Sequence, residues 1–347
     1  MTDRREAGRA RARLQAAVRE FLGEQGYDEV ETPCLVPAPG MEPHIEAFEA
    51  NYQPQGGGPP RALFLHTSPE YAMKRLLAEG FSPIFQFARV FRNGEISPTH
   101  NPEFTLLEFY RAGVDYQGLM AELESLLAHC ARALLGGTRL RARASELDFH
   151  PPFERLTMAR AFEERIGIDL AACRDDVARL RVALVARGLD PGRPEDCFDD
   201  LFFRVFLEKV EPTLGRVRPT FLTDWPASMA ALSRRKRSDP RFAERFELYA
   251  GGLELANGFS ELTDATEQRQ RLEEERALRT RLGRPAYPID ERFLAALPRM
   301  PESAGVAVGV DRLLMLFLAA SSIEDVLFFP AHRFWPDGGA GGGPVLP

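Results

Sequence analysis

The chain is poor in lysine and cysteine, has no long apolar run, and carries neither of the common glycine-rich phosphate signatures. Only Lys74, Lys209 and Lys236 among its 44 basic residues are lysine. Arginine suits planar, bidentate recognition of carboxylate or phosphate, although a GC-rich coding sequence accounts for the bias more simply. With 51 acidic residues the net charge is −7, which excludes a broad phosphate-binding face but not a local basic patch. Cys34, Cys130, Cys173 and Cys197 are far apart, with no CxxC and no histidine at ligand spacing, so a zinc site and a disulfide framework are excluded. The longest apolar run, Leu313 to Ala320, is far too short to span a bilayer. The arginine-rich N-terminus has no apolar core segment and is no secretory signal, while Glu6 and Glu20 weigh against a transit peptide. No GxxxxGK[ST] and no GxGxxG occurs, which removes the P-loop and the dinucleotide fold. A cytoplasmic enzyme, with no membrane partner, is the expectation.

What is there is a globular composition, 44% hydrophobic and 27% charged over 347 residues, enough for one large domain or two. Leu14, Ala17, Val18, Phe21 and Leu22 fall at helical spacing within 9–25, and Tyr27 to Thr32 reads as a strand. Ile84 to Arg92 and Phe104 to Tyr110 read as two strands of a hairpin around an 11-residue loop, and loops that long are often functional. Helices are expected over 115–135 and 157–188, the latter inside a helical insertion of about 142–215. A strand over Pro219 to Leu222 precedes a second hairpin, Phe246 to Leu255, turning at Gly251-Gly252. The charged helix 264–282 reads as a solvated face, and a glycine-punctuated strand, Gly305 to Val310, enters an apolar helix over 311–320. Residues 336–347 are low-complexity and expected to be disordered, which leaves 1–335 as the folded part.

Three segments carry chemistry. In FRNGEISPTHNPEFTLLEFY (91–110), period-2 geometry puts Phe104, Leu106, Glu108 and Tyr110 on one strand face, with Arg92, His100 and Asn101 around the loop. Such a set suits a nucleotide: arginine for a phosphate, a ring for base stacking and carboxylates for an ammonium group. An ordinary hairpin with a solvated loop is the plainer alternative. In FELYAGGLELANGFSE (246–261), Glu247, Glu254 and Glu261 recur every seven residues, and the turn would let Glu247 and Glu254 converge. Converging carboxylates need a cation, and oxygen ligands with phosphates select Mg²⁺; glutamates simply facing water are the alternative. In GVAVGVDRLLMLFL (305–318), Arg312 heads an apolar helix and needs a partner, for which a structural salt bridge would do.

These segments resemble, in order, the signature motifs of class II aminoacyl-tRNA synthetases: GYDEVETP (26–33) motif 1, FRNGE…HNPEF motif 2 and GVAVGVDRL motif 3. Within that family TSPEYAMKRLL (67–77), HNPEFTLLEFY (100–110) and ELANGFSELTD (254–264) are most similar to the lysyl branch. Motif 1 begins almost at Met1, with no anticodon-binding domain before it, as in the stand-alone paralogues of that branch that attach (R)-β-lysine to a lysine of elongation factor P. Ala256 and Ala307 stand where the synthetases have glycine, and RNGE replaces their RNEG, which puts Gly94 at the place of a glutamate expected near ATP. The alanine at 307 is expected to reshape the pocket floor in favour of a β-amino acid.

The resemblance implies an α/β (α+β) fold, an antiparallel sheet flanked by helices, and a homodimer formed through motif 1. It implies an ATP-dependent ligase with Mg²⁺. Arg92 would bind the α-phosphate and the substrate carboxylate, and Arg312 the triphosphate. Asn93, Gly94, His100, Asn101, Phe104, Glu254, Leu255 and Gly309 would complete the ATP site. Glu247 and Glu254 would hold the metal. Ser68, Pro69, Glu70, Glu108, Tyr110, Asn257, Glu261 and Ala307 would surround (R)-β-lysine or lysine, whose two ammonium groups call for several carboxylates. Elongation factor P would be the acceptor, and the acidic charge makes tRNA an unfavourable one. Three rivals stay open: a truncated synthetase-like enzyme charging tRNA, a small-molecule amide ligase, and a catalytically inactive regulatory paralogue.

Overall fold

The computed structural model describes residues 3–142, 145–173, 175–230 and 232–335; the tail 336–347 lies outside the described residues. The helices are α1 (Arg4–Glu24), α2 (Glu70–Ala78), α3 (Tyr116–Leu135), α4 (Met158–Ile166), α5 (Leu170–Cys173), α6 (Val177–Ala186), α7 (Phe198–Val205), α8 (Ala265–Arg281), α9 (Glu291–Ala296), α10 (Val310–Phe317) and α11 (Ala331–Phe334). The strands are β1 (Asp28–Glu29), β2 (Leu35–Val36), β3 (Glu49–Tyr52), β4 (Arg61–Leu65), β5 (Ile84–Phe91), β6 (Glu103–Ala112), β7 (Arg139–Ala142), β8 (Ser145–Asp148), β9 (Glu154–Thr157), β10 (Thr220–Pro226), β11 (Phe242–Ala250), β12 (Leu253–Ser260) and β13 (Ser303–Gly309). They fall into two compact units, one of residues up to Tyr110, Asp264–Pro301 and Val308 onward, the other of Arg111–Thr263 and Glu302–Ala307.

In the first unit, α1 starts where the Asp3 carboxylate accepts from the Arg5 N–H, and it buries Leu14, Val18 and Leu22 on one stripe. The expected strand Tyr27 to Thr32 contributes only Asp28–Glu29, paired parallel to β5. β5 and β6 form the expected hairpin, in register from Ile84↔Tyr110 to Phe91↔Glu103, around the loop 92–102. That register places Phe104, Leu106, Glu108 and Tyr110 opposite Val90, Ala88, Gln86 and Ile84, on one face as the alternation requires. The charged helix α8 is not wholly a solvated face: Gln268, Leu272 and Arg279 are buried. Arg279 tolerates complete burial because its guanidinium donates to the carbonyls of Glu42, Ile45 and Pro285 and lies 4.1 Å from the centre of the Tyr287 ring.

In the second unit, β9 and β10 are parallel while β10, β11 and β12 are antiparallel, with β13 beside β12. The hairpin turns at Gly251-Gly252, as expected. Gly258 is where β12 needs glycine: a Cβ there would lie 2.6 Å from the Phe246 ring and 2.8 Å from the Gly305 carbonyl. The expected helix 157–188 is divided into α4, α5 and α6, because Gly167 closes the first and Asp176 caps the last. The stretch read as helical from 142 opens instead on strands, and its helical segments run from 158 to 213. They close over Phe202, which stacks on Phe162 at 5.0 Å and on Phe206 at 5.8 Å and sits 6.2 Å from Trp225. Mixed α/β architecture with mostly antiparallel sheet and flanking helices is thus borne out.

Candidate active site

Within the first unit, Ser68, Glu70, Glu108 and Tyr110 come together. Ser68 ends the approach to α2, where its hydroxyl accepts from the Glu70 N–H at 3.0 Å and donates to Glu108 Oε1 at 2.6 Å, with Pro69 at the helix cap between them. Tyr110 donates to the other Glu108 oxygen at 2.8 Å. Glu108 is 1% exposed, and burial, then the Glu70 carboxylate, push its carboxyl up to about 7 against the hydrogen bonds and Lys74. Lys74, one turn after Glu70, pairs with it at 2.5 Å and is almost fully buried. It was not among the expected site residues, although its i,i+4 spacing from Glu70 was a visible signal.

The loop 92–102 is held at several points. Arg92 lies 5.1 Å from the centre of the half-buried Phe104 ring, and its Nε is buried with no hydrogen-bond partner among the described residues. Glu95 is its nearest carboxylate, at 4.0 Å. Gly94 has φ +80°, so the glutamate that synthetases carry there would be strained, and the turn instead brings Glu95 back toward Arg92. Asn93 is engaged with Glu46 through both its N–H and its side-chain amide. His100 accepts from Arg312 at Nε2, 2.6 Å away, and a donating Nδ1–H then faces the Ser97 hydroxyl at 2.7 Å. The Arg312 guanidinium thus has the His100 ring and the Thr99 carbonyl among its partners. Beside it, Asp311 accepts from the Thr105 N–H and from Arg11, a positioning pair spanning 300 residues of sequence that the sequence analysis missed. Gly309 caps α10 directly ahead of this pair. Asn101 is a pin: its amide donates to the Glu103 carbonyl and accepts from the Ala331 N–H.

Within the second unit, Glu247 and Glu261 do not face water; they are 6% and 2% exposed. Glu247 stands opposite Asn257, because the register shifts between Leu248 and Tyr249, and Glu254 stands opposite Tyr249. Glu247 accepts from Arg245 at 2.8 Å and Tyr249 at 2.5 Å, and Arg245 also donates to the Asn257 side chain at 3.1 Å. Burial and then the Glu254 carboxylate push the Glu247 carboxyl up to about 8, against Arg245 and the Tyr249 hydrogen bond. Among the described residues no three metal-ligating side chains converge, so a cation on Glu247 and Glu254 would draw its other ligands from phosphate and water, which fits Mg²⁺. Leu255 and Ala256 are buried and Ala307 is half-buried on β13. Arg245, unforeseen, is braced by Trp225, whose ring centre is 4.3 Å from the guanidinium.

Comparison with known proteins agrees with this chemistry. Residues 2–333 match the family described as tRNA synthetases class II (D, K and N). The chain is 42% identical over 325 residues to proteins named elongation factor P–(R)-β-lysine ligase from Salmonella paratyphi B, Salmonella schwarzengrund and Salmonella typhimurium, covering 93% of this chain and 94% of each relative. Among the described residues no helix is long and apolar enough to cross a membrane. A match along nearly the whole chain makes this an ATP-dependent ligase and a member of the class II tRNA synthetase family of the D, K and N group.

Proposed function

We propose that this enzyme joins (R)-β-lysine to a lysine side chain of elongation factor P in two steps. The substrate carboxylate attacks the α-phosphorus of ATP, giving the aminoacyl-adenylate and pyrophosphate. The ε-amine of the acceptor lysine then attacks the activated carbonyl, loses its proton and expels AMP, leaving an amide. The observation that carries this reading is the buried Ser68–Glu108–Tyr110 group with Glu70, a carboxylate-rich recess suited to ammonium groups, in a chain 42% identical to relatives bearing that name.

Arg92 would neutralise charge on the α-phosphate and the substrate carboxylate, with Phe104 stacking on adenine and His100 and Arg312 on the triphosphate. Gly94, Asn101, Leu255 and Gly309 would present backbone to the nucleotide, and Asn93 would hold the loop. Mg²⁺ on Glu247 and Glu254 would neutralise the phosphates. Ser68, Pro69, Glu70, Glu108, Tyr110, Asn257, Glu261 and Ala307 would surround the diamine. Positioning and electrostatics then suffice without a dedicated general base. We also read the enzyme as a cytoplasmic homodimer.

A pH dependence follows. Between the ordinary carboxyl value and about 7, folded Glu108 holds a proton that the unfolded chain has lost, so its effect on stability worsens as pH rises through that window. Ammonium binding needs the carboxylate, so the KM for the diamine should fall as pH rises from 6 to 8. The profile should flatten in Glu108→Gln; an equally steep profile there would assign the dependence elsewhere.

The function is tested by acceptor competition. Labelled (R)-β-lysine or lysine, ATP and Mg²⁺ are offered with elongation factor P and total tRNA together. Label on the protein, stronger with β-lysine, is expected; label on tRNA alone would make the chain a minimal synthetase.

A further inference from the structure

Glu42 and Thr67 line the same recess of the first unit as Ser68 and Glu70, a cavity of about 310 Å³. Thr67 is 2% exposed, and its hydroxyl and Glu42 Oε2 are buried with no hydrogen-bond partner among the described residues. The two groups face one spot. A Cβ built on Gly40 would lie 2.2 Å from Glu42 Oε2 and 2.9 Å from Thr67 Oγ1, so a bare backbone at 40 is what lets the carboxylate fold back beside the hydroxyl. Two buried, unsatisfied oxygens in one cavity are costly unless a donor fills it.

The loop that carries Glu42 is held rigidly. Arg279 donates to the Glu42 carbonyl at 2.7 Å and the Ile45 carbonyl at 2.6 Å, and the Ala47 N–H donates to the Tyr287 hydroxyl at 2.8 Å. Glu42 is therefore preorganised, and a preorganised acceptor binds a cation without reordering.

Resting on the function proposed above, we propose that Glu42, with Thr67, is a specificity-determining residue that holds the substrate ammonium nearest the carboxylate. A donor-rich cation with three N–H groups satisfies Glu42 Oε2 and the Thr67 hydroxyl at once. The choice of amine follows from charge: Glu42 lies within electrostatic reach of the negative Glu70 and of the positive Arg92 and Arg279. Arg92 is the group that takes the substrate carboxylate, so an amine a few bonds from that carboxylate is the one within reach, and the distant ε-amine is not.

The test compares wild type, Glu42→Gln and Thr67→Val in ATP–pyrophosphate exchange with (R)-β-lysine and lysine. 6-Aminohexanoate, which lacks the amine near the carboxylate, serves as a competitive probe. Glu42→Gln should raise KM for both diamines roughly 10- to 100-fold, the worth of a hydrogen bond to a charged group, with kcat changed far less. Thr67→Val should raise it severalfold. The inhibition constant of 6-aminohexanoate should stay within about twofold in both variants, and the KM for ATP should not move. An unchanged diamine KM in Glu42→Gln, or an equal loss for 6-aminohexanoate, would overturn the assignment. Wild type that activates neither diamine would instead sink the proposed function and this inference with it. Should Glu42→Gln fold poorly by thermal melt, Thr67→Val alone decides by the same comparison.

Discussion

Replacing Arg92 with alanine is expected to slow ATP–pyrophosphate exchange by roughly 10²- to 10³-fold, the usual loss when one preorganised charge-stabilising donor is removed. The protein should remain folded. The guanidinium touches the Phe104 ring, and its nearest carboxylate, on Glu95, is at 4.0 Å, so few intramolecular bonds depend on it. Its buried Nε, without a hydrogen-bond partner among the described residues, is the feature of a group held ready for a ligand rather than used by the fold. Arg92→Lys, which keeps the charge but not the planar fork, should recover only part of the rate. Exchange at the wild-type rate in Arg92→Ala would remove the residue from the chemistry. Equal losses of melting temperature and activity would make it structural.

The largest effect on stability is expected at Phe202, far in sequence from any motif. Phe202→Ala should lower the stability of the second unit by about 3–5 kcal/mol, because removing a buried ring costs both its transfer energy and the cavity left behind. Phe202 is fully enclosed and contacts the rings of Phe162, Phe198, Phe206 and Trp225. Little around it can collapse to fill the gap, since the neighbours are themselves flat rings fixed by the same stack. Denaturant unfolding followed by tryptophan emission reads this directly. Of the two tryptophans, Trp225 is 1% exposed and Trp335 is 45% exposed, so the blue-shifted signal belongs to the second unit. A loss below about 1 kcal/mol would mean that the helices repack freely. Because Trp225 also braces Arg245, which holds Glu247, a milder variant here should raise the Mg²⁺ concentration needed for exchange before it unfolds the chain.

Much of this protein is legible from its sequence because the relevant signals are local. The hairpin β5–β6 with its 11-residue loop, the turn at Gly251-Gly252 and the helix Tyr116–Leu135 follow from alternation, turn glycines and the Asp115 cap, each acting over a few residues. The resemblance placed Arg92, Glu108, Glu247 and Arg312 by their neighbours in the chain. What only the tertiary structure decided is which charges meet and how wet they are. A glutamate in a string reads the same in solvent and in a cavity, yet Glu108 is pushed to about 7 by burial and Glu291 is held low by Arg269 at the surface. The sequence made α8 a solvated face, but Arg279 turns inward because three carbonyls from other segments await it. Asp311 meets Arg11 across 300 residues, and Glu42 stands in the amine recess through a loop with no motif of its own. Local sequence sets backbone preferences; electrostatic partners and dielectric are set by packing, because Coulomb interactions and desolvation depend on distances that chain separation does not encode.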